Sequence, residues 1–168
     1  MRLEIIIRGK KVKLLPPNVR EYYLIYHAAD PFEKTEGLTD WIARSAEELK
    51  STITADDICR IEIELYAWLA REKTKEIYRA PYAPKASQNT IYFNRVYDEL
   101  KLVSDFTNSS FLDLQMLDIF TFWRYYRDAV IWDCSKSEEG REYLEAAYNS
   151  MQTKPDRAAI AQLINSQK

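Results

Sequence analysis

Phe120-Thr-Phe-Trp-Arg-Tyr-Tyr-Arg-Asp-Ala-Val-Ile-Trp132 is the stretch on which the fold turns. Six of its thirteen residues are aromatic, and no Gly or Pro interrupts it. The apolar residues recur at the three- and four-residue intervals of one helix face. The run therefore predicts a helix from about Leu112 or Leu117 to Cys134. Phe122, Trp123, Tyr126 and Trp132 are expected on its core side, although the same rings would also suit a pocket. Between them stand Arg124, Tyr125, Arg127 and Asp128, the candidate partner-binding residues of the chain. The plainer reading is an ordinary solvated face, on which Arg124 and Asp128 stand four apart and contribute only about 0.2–0.5 kcal/mol as a pair.

Working outward, Ser135-Lys-Ser-Glu138 has the form of a helix start, with Tyr143, Leu144 and Ala147 inward. Thr153-Lys-Pro-Asp156 predicts one more short helix through Ile160, Leu163 and Ile164. Upstream, Asp105–Ser110 reads as a polar break. Ser87 is expected to cap a helix carrying Ile91, Phe93, Val96, Leu100 and Val103, after an extended loop over Ala80–Ala86 marked by Pro81 and Pro84. Thr54-Ala-Asp-Asp57 caps a long helix with Ile58, Ile61, Leu65, Trp68 and Leu69 on one face, ending near Arg79. Another helix places Trp41, Ile42, Ser45 and Leu49 on one stripe. Asn18-Val-Arg-Glu21 is a capping-box pattern for a helix reaching about Ala29, with Asp30-Pro31 closing it.

The first sixteen residues read differently. Leu3–Ile7 and Lys11–Leu15 flank Arg8-Gly9-Lys10, and Val12 and Leu14 alternate with lysines. That is the period of a half-buried strand, with Gly9 supplying the positive φ of a tight turn and Pro16-Pro17 ending the second strand. The expected fold is mainly α: a bundle of about six or seven helices with a short N-terminal β-hairpin. It forms one domain over 1–168, with the hairpin at 1–16 and the helical body at 18–168.

Composition agrees. Only 3 glycines serve 168 residues, too few for the turns and bulges of a strand-rich fold. Hydrophobic residues make 46% of the chain and charged residues 30%, a globular balance. A domain of this length buries roughly 70% of its unfolded surface and needs no staple. The net charge of −2 and the single short basic cluster (Arg8, Lys10, Lys11, Lys13) speak against a nucleic-acid partner. Cys59 and Cys134 form no C-x-x-C pair and are expected to be buried, reduced thiols. With no secretory leader and no long apolar run, the chain is expected in the cytoplasm, away from membranes.

Motifs for chemistry are scarce. The lone His27 stands with Asp30 close by, a general-base arrangement on paper. Its place at a helix C-terminus, facing the negative end of the dipole, is the simpler reading. Asp56, Asp57, Glu62 and Glu64 lack the E-x-x-H partners of a bundle metal site, and the first two suit cap roles. No phosphate loop, nucleophile elbow or zincin motif occurs. No cofactor, metal or catalytic residue is expected.

The opening Ile7-Arg-Gly-Lys-Lys-Val12, a hairpin leading into a helical body, resembles the start of small phage tail assembly chaperones. Glu138-Glu-Gly-Arg-Glu-Tyr-Leu144 with Gln152-Thr-Lys-Pro-Asp-Arg157 is similar to the ends of prophage proteins from the same gene neighbourhood. The resemblance implies a helical, non-enzymatic tail-building protein. Such a protein binds tape-measure protein and tail-tube subunits and forms homo-oligomers. It transfers no catalytic residues, and the aromatic content here is higher than the family suggests. A helical regulator or adaptor binding a basic protein is the competing expectation, since the chain is weakly acidic. A small enzyme using a carboxylate or His27 is the third.

Overall fold

The computed structural model describes residues 2–46, 49, 52–76 and 95–152. They form the mainly helical fold with an N-terminal hairpin that the periodicity predicts. The chain divides into two compact units. One spans Met1–Tyr78 and Tyr92–Ala129, the other Arg79–Ile91 and Val130–Lys168.

The first unit begins with β1 (Leu3–Ile7) and β2 (Lys10–Leu14), paired antiparallel with Ile5 opposite Val12. The turn is the two residues Arg8 and Gly9, with φ of 49° and 77°. Positive φ at both central positions is the twist-matched hairpin turn. β2 therefore starts one residue earlier than the predicted Lys11. Burial alternates along both strands, with Leu3, Ile5, Ile7, Val12 and Leu14 inward. A lone hairpin is marginal in water, and here its inner face is covered: β1 packs on α3 (Ala55–Glu76) and β2 on α2 (Pro31–Ser45).

α1 (Val19–His27) carries the predicted capping box. The Glu21 amide donates to Asn18 Oδ1 at 2.8 Å, and the Asn18 amide to Glu21 Oε2 at 2.7 Å. The predicted closing signal, Asp30-Pro31, belongs to the next helix. Asp30 caps α2 by accepting from the Phe32 amide at 2.9 Å, and Pro31 occupies its first turn. Pro breaks a helix that precedes it but starts one readily, having no amide to satisfy. α2 packs on α1 with Gly37 at the contact, where a Cβ would stand 3.0 Å from that of Leu24. Leu49, placed by periodicity on this helix, lies beyond its end and packs half-buried on the core.

Thr54 and Asp57 cap α3 as expected, the Thr54 amide donating to Asp57 Oδ2 at 3.0 Å. α4 (Arg95–Thr107) runs further than predicted, so the break shrinks to Asn108–Ser110, where Asn108 takes a φ of 55°. Of the two starts predicted for the aromatic helix, Leu117 is the nearer, and the segment from Leu112 belongs to a separate turn. α5 (Phe111–Met116) is a short turn capped by Ser110, and α6 runs Ile119–Ser135. Asp118 makes the division: its carboxylate accepts from the amides of Phe120 and Thr121, each at 3.1 Å, and from the Thr121 hydroxyl at 2.6 Å. Ser87, the loop at 80–86 and the helix expected after Thr153 lie outside the described residues.

One connection ties this unit's early and late segments together. Val19 donates its amide to Leu117 O at 2.9 Å, and Ile119 donates to Pro17 O at 3.0 Å. The starts of α1 and α6 are thus bridged back to back at Asn18 and Asp118. α2 holds the same corner: Trp41 Nε1 donates to Leu15 O at 2.9 Å, and Arg44 donates to Pro16 O at 2.9 Å and to both oxygens of Glu21 at 2.7 Å.

In the second unit, α7 (Glu138–Gln152) follows the last turns of α6. Ser137 Oγ accepts the Gly140 amide at 3.0 Å and caps α7, two residues after the Ser135 that the pattern predicts, which instead closes α6 and donates to Trp132 O. Arg141 donates to Ser135 O at 3.0 Å, and Tyr143, Leu144 and Ala147 are half-buried.

Candidate interaction surfaces

The rings of α6 divide between interior and surface. Phe122 and Trp123 are fully inside, Tyr126 packs half-buried against the core, and Trp132 is exposed. Trp123 meets Phe120 and Tyr22 edge-on, each with ring centroids 5.6 Å apart. Trp68 extends the cluster at Phe120, and Tyr26 and Tyr66 extend it beyond Tyr22. Lys73 Nζ stands 5.3 Å from the Trp123 ring centroid, a cation over a π face. Phe122 and Trp123 are thus core, as the amphipathic pattern predicts, while Trp132 lies at the surface with Lys136 Nζ 3.3 Å from its ring centroid.

Arg124, Tyr125 and Arg127 face outward on α6, and Asp128 is half-buried beside them. Asp128 accepts from Arg127 at 2.8 Å, the neighbour in sequence. Arg124 belongs to a cleft of about 390 Å³ with Arg2, Glu72, Asp118, Phe120 and Thr121. Glu72 is buried there, within 3.5 Å of Arg71. Arg2 and Glu72 come from distant segments, so nothing in the local pattern around Arg124 signals them. Asp118 and Thr121 direct their polar atoms to the start of α6.

The remaining ionisable groups read as structure. His27 is the last residue of α1, exposed, with its ring 5.5–6.1 Å from those of Tyr22, Tyr23 and Tyr26. The Asp30 carboxylate that would orient a general base caps α2. Tyr23 donates to Glu99 at 2.7 Å, and burial together with that carboxylate pushes its phenol well above the usual range. Lys34 pairs with Glu62 and lies over the Tyr66 ring, contacts that raise its ammonium. Asp57 binds Thr54 and also Arg8 at 2.6 Å, so its carboxyl titrates below the ordinary range. Cys134 is half-buried and its thiol is pushed up by desolvation. Cys59, expected to be buried, is exposed: it falls on the outer stripe of α3, opposite Ile61 and Leu65.

No family model, curated protein or solved structure matches this chain. The surface therefore has to be read from its own chemistry. Among the described residues, no cluster of three or more His, Cys, Asp or Glu side chains has the geometry to hold a metal ion. No described helix is long and apolar enough to cross a membrane. What the surface does offer is apolar area. Phe32 is 85% exposed at the start of α2, and Leu112 and Met116 are 75% and 72% exposed on α5. Those two stand four apart, on one side of the short helix whose Leu114 anchors it to the core.

Proposed function

We propose that this chain is a non-enzymatic assembly protein of a phage or prophage, a tail assembly chaperone in kind. It acts by protein–protein contact in the host-cell cytoplasm and binds the tail-tube subunit or the tape-measure protein. The observation that carries this reading is the outward display of Phe111, Leu112 and Met116 on α5. Large apolar side chains kept outside by an anchored helix are what a partner helix or strand needs. The Arg124–Asp128 face adds a Tyr flanked by Arg, residue types favoured where binding energy concentrates. The resemblance of the hairpin start and of the C-terminal segment gives the direction toward tail assembly.

The test is co-expression with a phage tail-tube subunit and a tape-measure protein, followed by purification of the complex. A stable complex is expected, lost in a Leu112→Asp, Met116→Asp double variant that keeps its helical circular dichroism. If the folded chain passes both proteins without retaining either, this assignment is wrong.

A further inference from the structure

The one basic cluster of the sequence divides in the structure. Lys11 and Lys13 pair with Glu4 on the outer face of the hairpin. Lys10 stands opposite Ile7 in the register and so shares the inner face, where it is the only charged residue beside Leu3, Ile5, Ile7, Val12 and Leu14. Among the described residues no acid pairs with it. Arg8, in the turn, donates through Nη2 alone, to Asp57 at 2.6 Å and to Thr54 at 3.3 Å. Its side chain is half exposed, and Nη1 and Nε take no part in those bonds.

Both cations line a cavity of about 340 Å³ between the hairpin tip and the segment leading into α3. Ile7 and Val12 form its buried floor, and the half-buried Leu49 and Ile53 form the facing wall. The lining sets Arg8, Lys10 and Lys11 against the single carboxylate of Asp57, which Arg8 and Thr54 already engage. A chain of net charge −2 thus carries a locally positive, apolar-walled pocket. The volume is at the small end for ligand sites, which suits one large side chain and the carboxylate beside it. A polyanion needs a longer basic stripe, and the turning away of Lys11 and Lys13 denies it one.

We propose that this pocket is a docking site for an acidic segment of a partner protein, one that carries a large apolar residue next to an Asp or Glu. The apolar side chain packs on Leu49 and Ile53. The carboxylate takes the ammonium of Lys10 and the guanidinium N–H groups of Arg8 that Asp57 and Thr54 leave unused. Asp57 and Thr54 hold Arg8 in place before the partner arrives, which lowers the ordering cost of binding. The site lies on the hairpin and is independent of the α5 surface and of the tail-assembly reading.

Fluorescence anisotropy of a fluorescein-labelled peptide, Gly-Asp-Glu-Phe-Glu-Asp-Gly, titrated with the full chain tests it. Saturable binding with a Kd below about 500 µM is expected. Lys10→Glu should weaken it at least about tenfold through like-charge contact. Lys136→Glu, the same change of charge in the second unit, should leave it within about twofold, since an exposed charge farther off than a Debye length is screened. A peptide with Gly in place of Phe, or with amides in place of its acids, should also bind at least about tenfold more weakly. Circular dichroism checks that the Lys10→Glu chain keeps its fold. Absence of saturation at about 500 µM overturns the proposal, as does binding indifferent to Lys10→Glu or to either change in the peptide. Displacement of the peptide by an equimolar oligonucleotide or by phosphatidylserine vesicles overturns it too, and assigns the pocket to phosphate. A chain that ignores the peptide yet retains tail proteins through α5 would lose this site and keep the function proposed above.

Discussion

β1 and the first turns of α6 are both dense in apolar residues, yet they use them in opposite ways. β1 is apolar at four of its five positions, and the period of two still puts Ile6 in water. α6 interleaves its rings with Arg and Asp, and the period of 3.6 carries Phe120, Phe122 and Trp123 inside. Which way a side chain points follows from the repeat of the element, and apolar content alone does not decide it. The strand's surplus isoleucine becomes exposed surface, while the helix's rings become the centre of the core.

The sharpest way to break that contrast is inside α6 itself. Trp123 touches Tyr22 and Phe120 and is 2% exposed, whereas Trp132 is 38% exposed under Lys136. Trp123→Ala removes a large buried ring and should cost about 3–5 kcal/mol of unfolding free energy. Trp132→Ala loses an exposed cation–π contact and should cost at most about 1 kcal/mol. Urea denaturation of both variants measures the difference. Equal costs would mean that the burial difference along α6 has no energetic weight.

The hairpin turn comes next in size. Gly9 has φ of 77°, and a Cβ added there would meet nothing within 4 Å. Any cost of Gly9→Ala is therefore backbone strain and not a clash, about 1–2 kcal/mol. The loss should appear as a lower Tm with the core aromatics still packed, seen as an unchanged near-ultraviolet circular dichroism spectrum below the transition. An unaltered Tm would show that the turn does not need its left-handed residue.

Much of this architecture was legible because it is local. Gly9 between alternating strands, Asn18 with Glu21, and Thr54 with Asp57 each announce themselves within a few residues, and each appears in the structure. What escaped reading is long-range or ambiguous. Asp118 splits the aromatic helix because its carboxylate captures two amides and because Leu117 and Ile119 bond to Val19 and Pro17, partners from the far end of the chain. Asp30-Pro31 has the same spelling whether it ends one helix or starts the next. The face bearing Arg124, Tyr125, Arg127 and Asp128 was visible as a polar interruption of the rings. The cleft that joins Arg124 to Arg2 and Glu72 needed three segments brought together.

The smallest effect concerns a polar contact at the hairpin turn, added to the apolar packing of the hairpin's inner face on the helices. Asp57 binds Thr54 and the Arg8 guanidinium, and those hydrogen bonds hold its carboxyl below the ordinary value near 3.9. A carboxylate depressed in the folded state stabilises it fully above the unfolded pKa. That contribution fades as pH falls through the folded one. The gap in Tm between the natural chain and Asp57→Asn should therefore be constant above about pH 5 and close progressively below about pH 4. Added salt should shrink only part of it, because the Arg8 contact is screened while the Thr54 cap is short-range. A gap that stays constant down to low pH would show that the charge on Asp57 does nothing for the fold, and that the turn is held to α3 by the inward-facing Ile5 and Ile7 alone.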